Sequence, residues 1–365
     1  MKESNRIEKG QWYALSEFSA ETWNCVPSNS RMPMQHYIWA RACEEAFATP
    51  EGVRVATVGP RECYTAIAPL AAMPSCSGYL SLLGAEDLWE SGEVLYADET
   101  ALDSLARELV GSGRPIRFGH YPGDSPFISV LRRAYRGRGF VLAKPLEQRG
   151  MPFITLSAGW TDPESQLSSR RRGDLRRMRR RAEQRGTLKI NIDLPLAENL
   201  ERLLDEAFAV ESDGWKGRSG TAIAFDKRLE RFFRCYAELA LRAGILRLCF
   251  LRIDGLAAAV QIAVECDGGF WLLKVGYRES FRQCSPGNLL MRESIRHAAE
   301  QGLRSFEFLG KESPWTQAWT SHSRPLVRLR TYPVSLAGMG ALARDGFRST
   351  LKAIVNRLPR AGSKQ

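Results

Sequence analysis

The chain has 365 residues, 44% of them hydrophobic and 25% charged, with a formal net charge of +11. That balance fits a folded globular protein of two domains or one large one, and it excludes a low-complexity chain. No apolar run approaches the length of a membrane span and the start, MKESNRIEKGQWYAL, is polar, so neither a spanning helix nor a secretory leader is expected and a cytoplasmic location is predicted.

The positive charge is concentrated in two places. Residues 170–185 hold nine arginines against Asp174 and Glu183, a local charge of +7, and residues 341–365 hold six basic residues against Asp345, a charge of +5. Everything else therefore carries −1. The high isoelectric point describes two segments rather than the fold. The eight cysteines form no C-x-x-C pair and sit mostly in apolar runs, so reduced, largely buried thiols are expected. The four histidines show no H-x-x-x-H spacing, and no metal is expected.

In chain order, MQHYIWARACEEAF has helical spacing, and GVRVATVG and CYTAIAPLAAM read as strands around the turn Pro60-Arg61-Glu62. YLSLLG is a further short strand. ETALDSLARELVGSG carries a helical stripe at Leu102, Leu105 and Leu109, and PIRFGHYP and GFVLAKP are strand-like. After the arginine-rich helix, TLKINID reads as a strand. Two helices follow, in LAENLERLLDEAFAVES and DKRLERFFRCYAELALRAG. ILRLCFLRI and LAAAVQIAVE flank Asp254-Gly255, which suits a two-residue type I′ hairpin turn. GFWLLKVG is a third consecutive strand, then comes the helix LLMRESIRHAAEQG, and RSFEFLG and PLVRLRTYP close the fold as strands. Antiparallel strands followed by a βαβ crossover predict a mixed α/β sheet.

The stretch FRQCSPGNLL, Phe281 to Leu290, joins the third strand to that helix. The first helical turn leaves N–H groups without partners at the positive end of the helix dipole. Ser285 can cap, Pro286 pre-sets the first turn, and Gly287 removes the side chain that would hold a ligand away. Arg282 and Arg292 lie near enough in sequence to add charge. Such an end accepts phosphate, although Ser-Pro-Gly can equally be simple punctuation before a helix.

The order of elements resembles the acyl-CoA-binding core of the GNAT N-acyltransferases. More closely, the chain resembles their CelD-like branch, whose members often sit among cellulose and exopolysaccharide biosynthesis functions. The segments that carry the likeness are RRGDLRRMRRRAEQRG, AVESDGWKGRSGTAIA, LKVGYRESFRQCSPGNLLM, GLRSFEFLGKESPWTQAW and RLRTYP, within Met151–Pro333. HYIWARACEEAF and AIAPLAAM carry it more loosely in the first half. The branch is similar in fold to the Fem-type aminoacyl transferases. The resemblance implies two GNAT-like mixed-sheet domains: a degenerate one at 1–150, the acyltransferase domain at 151–335, and a basic amphipathic tail at 336–365.

It also implies an acyl-CoA-dependent N-acyltransferase, with acetyl-CoA as the simplest co-substrate. The acceptor would be an amine or hydroxyl of a cell-envelope or exopolysaccharide precursor. The alternatives are a Fem-like transferase using aminoacyl-tRNA, and an inactive binding module in polysaccharide synthesis. Arg282, Ser285, Pro286, Gly287 and Asn288 would cradle the CoA diphosphate, and the strand end Lys274, Val275 and Gly276 would meet the pantetheine arm. The loop departs from the usual Q/R-x-x-G-x-G/A pattern in having only Gly287.

Acyl transfer needs a base, oxyanion donors and an acid for the departing thiolate. Tyr277 can donate to sulfur or pack under a loop. Glu211 and Asp213 can accept a proton or solvate a helix end. His322 can act as a base or simply be exposed. Trp215 and Lys216 sit in a glycine-rich loop suited to a pocket wall. Glu307 can face a cleft or pair with an arginine, and Trp315 and Trp319 can line an acceptor site or belong to the core. Cys284, beside the anion loop, is expected to be a packed thiol.

The arginine-rich segment has a narrow apolar seam at Leu175, Met178 and Ala182, which docks one face and leaves arginines outside. Nucleic acid, such as tRNA, is one reading of that surface, but no aromatic residues interleave for stacking. A solvated face, or one meeting an acidic polymer, a lipid-linked donor or CoA phosphates, fits better. In the tail, Phe347, Leu351, Ile354 and Leu358 form one stripe with Arg344, Arg348, Lys352 and Arg357 elsewhere. That pattern can lie on an anionic membrane surface or pack on its own domain.

Overall fold

The computed structural model describes residues 10–28, 31–47, 49, 51–73, 78–214, 220 and 222–357, with 147–149 and 349–357 as backbone only. The first half contributes β1 (Gln11–Ala14), α1 (Ala20–Asn24), α2 (Tyr37–Phe47), β2 (Val53–Val58), β3 (Ala66–Ala72), β4 (Leu80–Leu82), α3 (Ala85–Leu88), β5 (Leu95–Tyr96), α4 (Glu99–Gly111), β6 (Ile116–Pro122) and α5 (Phe127–Ala134). Then come β7 (Gly139–Thr155), α6 (Ser169–Glu183), β8 (Leu188–Asp193), α7 (Leu200–Asp213), α8 (Lys227–Arg242), β9 (Leu246–Ile253), β10 (Leu256–Cys266) and β11 (Gly269–Tyr277). The chain ends with α9 (Pro286–Glu300), β12 (Ser305–Glu307), α10 (Pro314–Gln317), β13 (Ser323–Pro333) and α11 (Leu336–Arg357).

The thirteen strands among the described residues join one mixed sheet, in the order β1-β2-β3-β4-β6-β13-β7-β12-β11-β10-β9-β8, with β5 paired to β3 off this path. The 17-residue β7 pairs with β13 along most of its length and with β12 at its end, so it runs through both halves. The last strand, β13, returns to lie between β6 and β7. The predicted Asp254-Gly255 turn is present with φ of 47° and 78°, as a type I′ turn requires, and Asp267-Gly268 repeats it with 50° and 77°. GFVLAKP is only the first part of β7.

Each half contains a parallel βαβ unit. In the first, β4 runs parallel to β6 across α4, with Leu80 opposite Ile116. In the second, β11 runs parallel to β12 across α9, with Gly269 opposite Ser305. The halves pack through apolar surface rather than through the sheet alone. Trp39 on α2 meets Phe232 and Tyr236 on α8 edge-on, each at 4.9 Å between ring centroids. These rings are buried in one core cluster that draws on both halves. Burying such aromatic area is the largest favourable contribution here, on the order of 2 kcal/mol per ring.

Candidate active site

The second βαβ unit builds the site. The β11–β12 ladder covers only Gly269–Trp271, and among the described residues no strand lies beside the rest of β11 on that side. On its other side β11 stays paired with β10, with one extra residue, Leu273, inserted where Ile262 faces Lys274 and Ala263 faces Leu272. The chain beyond β11 makes a single helical turn, Glu279–Cys284, and then starts α9. A cavity of about 410 Å³ opens between the end of β11 and the mouth of α9.

Its walls gather most of the residues singled out from the sequence. Val275, Gly276 and Tyr277 come from β11; Arg282, Ser285, Pro286, Gly287 and Asn288 come from the turn and the helix mouth; Glu211 comes from α7 and Trp315 from α10. A Cβ placed on Gly287 would meet no atom within 4 Å, so among the described residues no side chain plugs the helix mouth. Gly276 serves a different purpose. A Cβ there would sit 2.6 Å from Glu211 Cα, so β11 and α7 approach backbone to backbone and close one wall.

Ser285 does not cap α9. It takes the left-handed conformation at φ 45° and ψ 54°, and its side chain accepts no cap hydrogen bond. Its carbonyl instead accepts from the Asn288 amide at 3.0 Å. A non-glycine residue at this φ costs about 1 kcal/mol or more, and such strain clusters at ligand sites. Pro286 occupies the first helical turn as expected. Arg292 adds little charge to the mouth, because Glu164, with its Oε1 2.9 Å from Nε, and Glu293 neutralise it.

The arginine-rich helix lies beside the same mouth. Arg171 Nη2 donates to Asn288 Oδ1 at 3.1 Å, and Arg181 Nη1 donates to the Gln283 carbonyl at 3.4 Å. Arg185 stacks over Phe281, with its Cζ 5.4 Å from the ring centroid. Arg171 Nε is buried without a hydrogen-bond partner. The expected seam holds: Leu175 and Ala182 are buried and Met178 packs against the same core.

Glu211 is buried, and its Oε2 accepts from the Ile223 amide at 3.0 Å, which fixes the carboxylate at the cavity wall. Asp213 is the helix-end residue: its Oδ2 accepts from the Glu279 amide at 3.1 Å and ties α7 to the turn. Lys274 lies outside the lining, with Nζ 5.3 Å from the centroid of Phe233. Glu307 is buried and paired with Arg324, whose Nη2 donates to Oε1 at 3.0 Å. Of the two late tryptophans, Trp315 lines the cavity and Trp319 is buried in the core under Arg171. His322 is exposed near Phe153 and is not brought to the cavity. Cys284 is a buried free thiol. Trp215 and Lys216 lie outside the described residues.

Sequence reasoning missed Gly214, Val260, Gln261 and Met291 in the lining. Gln261 carried a signal, as the only polar residue in the run LAAAVQIAV. It is buried, and Ser294 Oγ on α9 donates to its Oε1 at 2.6 Å. Met291 carried one too, four residues after Gly287 and so on the same helix face.

Comparison with known proteins agrees with this geometry. Residues 169–317 match the family model for an acetyltransferase (GNAT) domain. No curated protein matches the chain. Among solved structures, a conserved protein of unknown function from Bacteroides thetaiotaomicron superposes with a TM-score of 0.60 at 11% identity, over 89% of this chain and 99% of that one. FemX superposes with a TM-score of 0.56 at 12% identity, over 89% and 97%. The C-terminal DUF2156 domain of an Agrobacterium fabrum protein, provisionally named lysylphosphatidylglycerol synthetase, gives 0.54 at 14% identity, over 90% and 95%. At these identities the likeness is one of fold.

Proposed function

We propose that this protein transfers an acyl group, in the simplest case acetyl, from acyl-CoA to an amine or hydroxyl of a cell-envelope or exopolysaccharide precursor. The observation that supports this reading is the cavity at the mouth of α9, where Gly287 faces open space and arginines converge from α6. In this reading residues 151–335 carry the chemistry and residues 1–150 are a structural partner.

The residues present fit a thioester co-substrate with a diphosphate. The Gly287 amide at the start of α9, with Arg282, holds the diphosphate, because the helix mouth adds positive potential to that N–H. The end of β11, at Val275 and Gly276, borders the pantetheine arm. The co-substrate supplies an activated carbonyl. The Tyr277 hydroxyl donates a proton toward the departing sulfur. Glu211, held by the Ile223 amide, accepts a proton from the attacking amine directly or through one water. Trp315 offers an exposed aromatic face on the acceptor side.

The test is acceptor-dependent thiol release from acetyl-CoA across a panel of amino sugars and other polysaccharide precursors. Release with at least one acceptor supports the reading. A second reading, an aminoacyl-tRNA-dependent transferase, is favoured by the arginine face of α6 beside the same mouth and by the FemX-like fold. Salt-sensitive tRNA binding together with no affinity for acetyl-CoA would select it.

A further inference from the structure

The last helix is docked on the body by its small and polar side. Gly338 presses on the strand end, where a Cβ would sit 2.0 Å from the Pro333 carbonyl oxygen. Ala341 is buried at 2% exposure. The Asp345 carboxylate accepts from Tyr79 and Tyr332 hydroxyls at 2.8 Å and from Arg330 Nη1 at 2.7 Å. Positions 338, 341 and 345 share one helix face. The opposite face carries apolar residues turned to solvent: Leu336 is 98% exposed, Met339 41% and Phe347 69%, with Val334 at 68% just before the helix.

This inverts the usual pattern, in which an amphipathic helix turns its apolar stripe toward the core. The sequence continues the stripe at the same spacing with Leu351 and Ile354. Beside the helix, Phe140 and Leu142 on β7, both 51% exposed, stand opposite Tyr332 and Arg330 and therefore on the sheet face that α11 covers. Residues 341–365 hold six basic side chains and one acid, Asp345, and that acid is bound on the docked side. Among the described residues the outward surface is therefore apolar, with Arg348 exposed beside it, and the sequence places Lys352, Arg357, Arg360 and Lys364 in the segment that follows.

We propose that this surface seats the protein on an anionic lipid bilayer, with α11 lying in the headgroup plane, the Leu336–Phe347 stripe inserted and the excess positive charge of residues 341–365 drawn to lipid phosphates. A second copy of the chain would bring like charges together. A nucleic acid would leave the apolar centre uncovered. The proposal is independent of the acyltransferase reading, since none of these residues lines the cavity.

Flotation of the full chain with vesicles tests it, using phosphatidylglycerol mixed with phosphatidylcholine against phosphatidylcholine alone. The chain is expected to float with the anionic vesicles only and to be released by added salt. The double variant Leu336→Asp, Phe347→Asp is expected to bind them at least about tenfold more weakly. Its circular dichroism and its acetyl-CoA affinity should stay unchanged. Absence of flotation with either vesicle, or undiminished flotation of the double variant, would overturn the proposal. So would a monomer–dimer equilibrium that the double variant abolishes, which would assign the surface to a second copy.

Discussion

Both units pair parallel strands across a helix, with α3 and β5 inserted in the first crossover, and they differ at the helix mouth. In the first, Asp98 caps α4: its Oδ1 accepts from the Ala101 amide at 2.8 Å, and Glu99 follows in the first turn. A carboxylate of the chain itself thus takes the amides that an anion would need. Beyond β4 itself, at the start of α3 rather than of α4, the space bordered by Leu82, Leu83, Gly84, Trp23 and Trp39 amounts to about 10 Å³, room for little more than one water. In the second unit the cap side chain makes no cap hydrogen bond, Gly287 is bare, the neighbouring charges are arginines, and the space is about 410 Å³. The same scaffold is packed in one half and borders a cavity in the other, and the two helix starts differ in a few side chains.

Substitutions can break or sharpen that contrast. The largest expected effect is on rate: Tyr277→Phe should lower kcat by about 10²–10⁴ while leaving acetyl-CoA affinity intact, as read by steady-state kinetics beside calorimetry. Filling the mouth with Gly287→Trp should weaken acetyl-CoA binding by about a hundredfold, some ~2.7 kcal/mol, with an unchanged melting curve. Giving the second unit the acidic character of the first, through Asn288→Asp, should weaken binding by about 0.3–1 kcal/mol, an effect that salt reduces. The reciprocal change, Asp98→Ala, should cost about 1 kcal/mol of stability in denaturant titration and leave acetyl-CoA affinity unchanged.

The smallest expected effect concerns pH. Burial raises the Asp345 carboxyl, but hydrogen bonds from Tyr332 and Tyr79 and the Arg330 charge outweigh it and hold the group below its ordinary value of 3.8. A depressed folded value means that its stabilisation is complete above 3.8 and is lost as pH falls through the lower folded value. Asp345→Asn should remove that acid dependence, measured as the difference between wild-type and variant melting temperatures on acidification.

Much of this was legible in the sequence because it is local. The D-G turn fixed the β9–β10 hairpin, and Ser-Pro-Gly after a strand marked the helix mouth that borders the cavity. What was not legible depends on distant partners. The seventeen residues of β7 and the return of β13 between β6 and β7 are non-local pairings that alternation within GFVLAKP or PLVRLRTYP does not encode. Trp315 and Trp319 have the same type and helical spacing, yet Phe308 meets one at a ring distance of 5.8 Å at the cavity edge while Arg171 covers the other in the core. Ser285 has the composition of a cap, but the chain reaches α9 through a left-handed residue, and its hydroxyl makes no cap hydrogen bond. Glu307 was read as facing a cleft or an arginine, and only the position of Arg324 on β13 decides between them.

On the proposed function, the mouth of α9 seats a diphosphate-bearing donor. Isothermal titration of the full chain with acetyl-CoA tests it most directly. One saturable site per chain, competed by free CoA, is expected. A flat titration at protein concentrations that would reveal even micromolar affinity, from a chain shown to be folded by its melting curve, would contradict it.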